Sequence, residues 1–399
     1  MVDPARRQRG AQRDRDVFLP DDLGEGRRPV LAVKGERHDA TLPPTHDSPD
    51  TAGNPTGRAR VGTGVPIPYS VLDLAPVASG STETTALRNS LDLARAVERL
   101  GYHRYWVAEH HNMPGIASSA PAVLLAHIAM VTERLRVGSG GVMLPNHAPL
   151  IVAEQFGMLE ALHPGRVDLG IGRAPGTDQV TARALRRTEG PLSADDFPQQ
   201  LTELANYFTG RDARGVTAVP ALGNQPALWL LGSSGYSAQV AGYLGLPFAF
   251  AHHFSSENTL PALALYRERF QPSAVLSEPY AMIAASVLCA EDDATAWELA
   301  QPAALQFLQL RKGNPGRIPT PAETAAFAYT DLDRLFIEER LANQVIGGPE
   351  TVRKGLAELV SATGVQELMI TTNVFHHADR LRSYEHVAEI AGLRAGAAA

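Results

Sequence analysis

Short apolar runs alternate with amphipathic stretches eight times along this chain, and no other feature narrows its fold as far. The runs fall at 68–74, 104–108, 135–144, 166–172, 227–231, 247–251, 280–288 and 366–372. Helical spacing of apolar residues lies between them at 87–100, 120–135, 150–162, 237–244, 258–270, 294–310 and 349–363. In the first of these, Leu87, Leu91, Ala94, Val97 and Leu100 recur on one face ahead of Gly101. Strands that are mostly apolar belong to sheets covered by helices. Eight strand-then-helix units predict an α/β protein with a (β/α)8, or TIM, barrel. A doubly wound sheet is the competitor, but no G-x-G-x-x-G follows the first run. Two segments break the rhythm, as insertions after strands four (174–226) and seven (311–346). The first predicts a hairpin at 216–219 with a turn at Gly223-Asn224, and the second a helix over 331–345. Long connections of this kind often cover an active site.

Residues 1–64 have a different texture, with 11 basic and 10 acidic residues, seven Pro, eight Gly and one aromatic, Phe18. Such a stretch buries too little apolar surface to offset its ordering entropy. A disordered extension over 1–64 and one barrel domain over 65–399 are therefore expected. The barrel part holds 25 basic and 33 acidic residues, which gives no electrostatic case for nucleic acid or an anionic membrane. No run approaches 18 apolar residues and no apolar signal core opens the chain, so a cytoplasmic protein is expected. One cysteine, Cys289, excludes an internal disulfide and a multi-cysteine metal site.

Barrel chemistry collects where strands end. Strand two ends in Glu109-His110-His111-Asn112. This reads as a metal pair or as one ligand-facing imidazole, His110. Neighbouring strand residues point to opposite faces, so the second is favoured and no metal is expected. Gly140-Gly141 in strand three admit either a flat ligand or a helix contact. Gly232-Ser233-Ser234-Gly235 and Ser237 open a helix, either as an anion cradle or as plain N-capping. Arg173, between Gly172 and Gly176, suits a phosphate or a surface ion pair. Only three of the 36 basic residues are lysines, and Lys34, Lys312 and Lys354 all lie away from strand ends. Schiff-base chemistry is thereby disfavoured. A glycine slot, an arginine and a serine cradle suit a planar, phosphorylated cofactor such as a flavin.

Several motifs together resemble the bacterial luciferase-like flavin monooxygenase family. They are VAEHHN at 107–112, VGSGGVMLP at 137–145, AEQ at 153–155 and LGIGRAPGTD at 169–178. VIGGPETV at 345–352 and ELMI at 367–370 resemble the family's C-terminal signature. The resemblance spans about 65–392. It implies a TIM barrel using reduced FMN (FMNH2) and O2 to oxygenate a small organic substrate through a C4a-hydroperoxyflavin. It also implies a separate NAD(P)H:flavin reductase and a homodimer. Position by position, it places His110 at the active site and Gly140 and Gly141 behind the flavin ring, at a non-prolyl cis peptide. It places Arg173, Ala174, Pro175, Gly232, Ser233, Ser234 and Ser237 around the cofactor phosphate. Asn146 and His147, with His252, would line the substrate pocket. The reactive cysteine of light-emitting members has no counterpart, because Cys289 falls in strand seven. Light emission is therefore not carried over. The alternatives are a deazaflavin-dependent hydride-transfer enzyme, a flavin-binding protein without turnover, and a metal-dependent barrel hydrolase.

Overall fold

The computed structural model describes residues 67–174, 176–186, 196–211 and 214–394. The expected N-terminal extension and, among the site candidates, Pro175 lie outside these residues. The strands are β1 (Tyr69–Asp73), β2 (Arg104–Val107), β3 (Arg136–Met143), β4 (Val167–Gly172), β5 (Ala227–Gly232), β6 (Phe248–Phe250), β7 (Ala281–Cys289), β8 (Val345–Gly347) and β9 (Glu367–Thr371). The helices that follow β1 to β4 are α1 (Glu83–Leu100), α2 (Pro121–Met130), α3 (Pro149–Leu162), then α4 (Gln179–Arg186) and α5 (Phe197–Thr209). After β5 and β6 come α6 (Gly235–Leu244) and α7 (Thr259–Arg269). Helices α8 (Asp293–Arg311), α9 (Pro321–Ala326) and α10 (Asp331–Ala342) follow β7, α11 (Pro349–Thr363) follows β8 and α12 (His377–Ala391) follows β9.

Parallel pairing runs from β1 through β7, then to β9 and back to β1, so eight strands close a TIM barrel. Strand β8 is extra. It pairs only with the far end of β7, from Val287↔Val345 to Cys289↔Gly347. The helix expected over 120–135 stops at Met130, because side chains take over the backbone groups beyond it. The Glu98 carboxylate accepts the N–H groups of Glu133, Arg134 and Leu135, and Arg166 donates to the carbonyls of Ala129 and Thr132. The hairpin expected at 216–219 does not form. The N–H groups of Ala221 and Leu222 bond back to Ala218 O, and Pro220 has no N–H to offer a ladder.

Strand alternation turns Arg104, Arg136, Asp168 and Glu367 into the lower barrel. Arg104 reaches Asp168 at 2.7 Å and grips Glu367 at 2.7 and 3.0 Å. Asp168 also accepts from Arg136 and, at 3.0 Å, from Trp106 Nε1. Ser70 and Tyr280 donate to Glu367. Above this layer Trp106 and Trp229 meet edge to face at 5.3 Å, with Leu72, Met282 and Met369 around them. Outside the barrel, Asp73 binds Arg380 of α12 at 2.7 Å and Tyr105 at 2.6 Å, which docks the last helix.

Removing one member of a buried ion network strands the others without a counter-charge. Asp168→Ala is expected to lower stability by about 3–5 kcal/mol in urea unfolding. A loss below about 1 kcal/mol would show that Arg104 and Arg136 find other partners.

Candidate active site

The mouth of the barrel is formed by the segments that leave the strand C-termini. Three of these are tied together by backbone hydrogen bonds. Val77 N–H donates to Gly115 O at 3.0 Å, Ile318 N–H to Val77 O at 3.0 Å, and Ser79 N–H to Ile318 O at 2.8 Å. The segment after β7 is thus fastened over those after β1 and β2.

Glu109, at the end of β2, is fully buried and is the hub of the site. His111 Nε2 lies 2.9 Å and His147 Nε2 2.8 Å from its Oε1, Asn146 Nδ2 lies 3.3 Å from the same oxygen, and Met143 N–H donates to Oε2 at 3.0 Å. Burial pushes this carboxyl up, but the bonds from His111 and His147 outweigh it and bring it down to about 2. Both imidazoles spend their Nε2–H on it. Asn146 and His147, read from sequence as pocket residues, therefore both reach this carboxylate. Among the described residues no three His, Cys, Asp or Glu side chains form a metal-ligand set.

His110 turns away from that cluster. Its Nδ1 is 3.2 Å from Gly176 O, so Nδ1 carries the proton and Nε2 is the free acceptor of the neutral ring. Burial holds its pKa below the ordinary value, against the opposing pull of Gly176 and Glu109. Gly176 is needed here. Its φ is +64°, and a Cβ would sit 2.8 Å from Glu109 O.

Across the barrel, β5 runs into α6 through Gly232, Ser233 and Ser234. Ser234 is the N-cap, yet its side chain makes no capping bond. Arg173, just past β4, lies with its guanidinium carbon 4.1 Å over the ring of Tyr236 in the first turn of α6. It makes no hydrogen bond or ion pair, and the buried Ser237, on the same helix as Tyr236, lies against Gly232. Sequence reading named Arg173 and the serines but passed over Tyr236, the residue that joins them. Ala174 is exposed.

Between His110 and this cradle, the wall formed by β3 and β4 has no side chains at Gly140, Gly141, Gly170 and Gly172. The Gly140-Gly141 peptide is cis. A Cβ at Gly140 would lie 2.8 Å from Leu72 Cδ1, so core packing also requires this glycine. His252 is turned to Thr259, with Nδ1 2.8 Å from its Oγ1. The neighbouring His253 goes deeper, with Nδ1 3.0 Å from Ala284 O. Burial lowers His253 to about 4, and the charges of Arg340, His252 and His110 add to the shift. Cys289 is buried in the outer core, and burial pushes its thiol up to about 11.

Known proteins resemble this chain over most of its length. Residues 67–367 match the model of the luciferase-like monooxygenase family. Uncharacterized protein YvbT of Bacillus subtilis (strain 168) is 52% identical, over 80% of this chain and 96% of its own. A luciferase-like monooxygenase of Escherichia coli (strain K12) is 46% identical, over 80% and 95%. The N-acetyl-S-alkylcysteine monooxygenase of Bacillus subtilis (strain 168) is 31% identical, over 80% and 96%. Among solved structures, apo-MsnO8 superposes with a TM-score of 0.76 at 38% identity, covering 82% of this chain and 99% of that one. Two more share the fold at lower identity. The oxygenating constituent of 3,6-diketocamphane monooxygenase of Pseudomonas putida, in complex with FMN, has a TM-score of 0.63 at 19% identity, covering 82% and 98%. An F420-dependent secondary alcohol dehydrogenase has 0.59 at 14%, covering 82% and 99%. Among the described residues no helix is long and apolar enough to cross a membrane. This chain is an oxidoreductase that belongs to the luciferase-like monooxygenase family.

Proposed function

We propose that this enzyme takes reduced FMN from a separate NAD(P)H:flavin reductase and uses O2 to oxygenate a small organic substrate. The observation that carries this reading is the unpartnered guanidinium of Arg173 beside the open N-terminus of α6. A phosphate there would satisfy the guanidinium, the hydroxyls of Ser233, Ser234 and Ser237 and the free backbone N–H groups together. The bare backbone at Gly140, Gly141, Gly170 and Gly172 suits the face of a flat ring in the same mouth. Two of the relatives, from Escherichia coli and Bacillus subtilis, carry monooxygenase names, which favours oxygenation over hydride transfer to a deazaflavin.

Bound reduced FMN would supply the two electrons with which one atom of O2 enters the substrate and the other leaves as water. The chain's own residues do the rest. Arg173 and the serines hold the phosphate and so orient the ring. His110, kept neutral with Nδ1–H on Gly176 O, accepts a proton at Nε2 and returns it. The loops fastened across Val77, Gly115 and Ile318 keep water from the reacting atoms. His147 and Asn146, anchored on Glu109, and His252 border the substrate.

An exposed apolar face supports the homodimer. Val123 (61% exposed) and Met130 (75%) stand on α2, beside Ile151, Met158 and Leu162 (69%) on the neighbouring α3. A face of this kind on two packed helices is one that a second copy would cover.

Titration of the apoprotein with FMN, followed by flavin fluorescence, tests the cofactor. Arg173→Ala is expected to weaken FMN about 10–100-fold, the worth of charge-assisted bonds to a phosphate. Tighter binding of F420 than of FMN would refute the oxygenase reading. His110→Ala is expected to cut turnover about 10²–10⁴-fold with little change in flavin affinity. Because burial favours the neutral ring, the acid limb of the pH–rate profile should have its midpoint below 6.5 and vanish in this variant. A limb unchanged in His110→Ala would assign the proton step elsewhere. In light scattering, Met130→Glu with Met158→Glu should halve the particle mass. An unchanged dimer would put the interface on another face.

A further inference from the structure

A second guanidinium in the same mouth has nothing to bind. Among the described arginines that are at least partly buried, Arg104, Arg136 and Arg380 hold carboxylates, Arg166 holds carbonyls, and Arg317 holds Glu83 and Ser81 O. Arg173 and Arg340 alone have no hydrogen-bond or ion-pair partner. Arg173 faces the phosphate cradle. Arg340 stands on α10, and its guanidinium carbon lies 3.3 Å from the ring centre of Phe307 on α8. Phe307 is in turn stacked on Phe336, with centroids 6.1 Å apart and planes 6° apart. One face of the guanidinium is thus held by an aromatic pair, while its N–H groups are unspent.

Packing places this group over the barrel. Ile337 and Leu341, on the same helix, pack with Leu288 at the end of β7 and Val374 just past β9. In barrel order these strands lie opposite the glycine wall of β3 and β4. The wall below Arg340 also has unspent polar capacity. Glu367 and Met369 face the interior, so alternation turns Thr371 inward one layer higher, opposite Ser286 of β7. Thr371 is 2% exposed and its hydroxyl has no partner. The side-chain oxygen of Asn373, two residues on, is also buried and unpartnered. The charge that bears on Arg340 is another cation, Arg311. A half-buried cation beside a second cation and with no acid to offset it is costly to keep, and an anionic ligand removes that cost.

We infer that Arg340 and Thr371 form a carboxylate-binding subsite, so that the substrate of this enzyme is an organic acid held by its carboxylate opposite the glycine wall. The inference rests on the oxygenase reading for the pocket it describes and names the substrate class of that pocket. A carboxylate there would take a forked pair of bonds from Arg340 and one from the Thr371 hydroxyl. The aromatic pair Phe307 and Phe336 keeps the fork in one orientation. The reactive part of the acid would then extend towards His110.

The test is direct binding by calorimetry to the full chain, using straight-chain carboxylates from propanoate to octanoate and the matching primary amides. At least one acid is expected to bind about tenfold or more tightly than its amide. Arg340→Met should abolish that preference, Arg340→Lys should keep part of it, and Thr371→Val should weaken the acid a few-fold. FMN affinity should stay within about twofold in all three variants, as expected for a group away from the phosphate cradle. Thermal melts identify any variant that fails to fold, and the lysine variant keeps the charge should the methionine variant be unstable. No acid outbinding its amide would overturn the inference. So would a loss of FMN affinity in Arg340→Met as large as that in Arg173→Ala, because Arg340 would then belong to the flavin site. Acid preference without FMN binding would instead sink the oxygenase reading and leave the carboxylate subsite standing.

Discussion

The guanidinium of Arg104 is the charge around which the barrel is built. It lies inside the ring of strands, where taking an ion out of water costs several kcal/mol. Asp168 and Glu367 offset that cost with three short bonds, and Asp168 shares itself with Arg136 and the Trp106 indole. The four charged members come one each from β2, β3, β4 and β9. A slip of one residue in any of these strands would turn its member out of the barrel, so the network also sets their register. The tryptophan layer above it, Trp106 against Trp229, separates these charges from the mouth. The lower half of the barrel is therefore committed to stability, and the upper half is left for chemistry.

Electrostatics in the upper half follow a different rule. Glu109 keeps a fixed negative charge, because two imidazoles and a backbone N–H hold it ionised. Those same bonds consume the Nε2–H of His111 and His147, whereas His110, bonded through Nδ1 to Gly176 O, keeps its Nε2 free. Two cations flank the site without acids of their own, Arg173 on the β4–β5 side and Arg340 above β7 and β9. In the lower barrel such groups are matched. Here they are kept unmatched at a cost in stability, which is the usual mark of groups waiting for a ligand.

Most of the barrel was legible in sequence, because a strand covered by helices must be apolar and short, and each run could be counted. Boundaries failed where side chains from distant segments decided them. The end of α2 depends on Glu98 and Arg166, which lie 30 or more residues away from the groups they bind. The missing hairpin depends on local turns that 216–219 shares with Ala221 and Leu222. Strand β8 has three residues, too few for a period to show. In the site, the ends of strands two to six could be named as a set. Their roles could not, because Glu109, His110 and His111 are adjacent and only the fold tells which way each points. Arg340 gave no signal at all, since an arginine on a charged helix reads as solvated surface.

The sequence by itself determined the architecture; it also pointed to the strand C-terminal ends as the place for chemistry and disfavoured lysine chemistry. Those follow from periodicity and residue counts, which need no coordinates. Tertiary structure alone decided that His147 binds Glu109 across 38 positions, that Arg173 meets Tyr236 at α6 and that Arg340 stacks on Phe307 without an ion-pair partner. The physical reason is that a hydrogen bond or an unmet charge is a relation between groups far apart in the chain. A periodic pattern shows which face a residue lies on, and only closure of the barrel shows what stands opposite it.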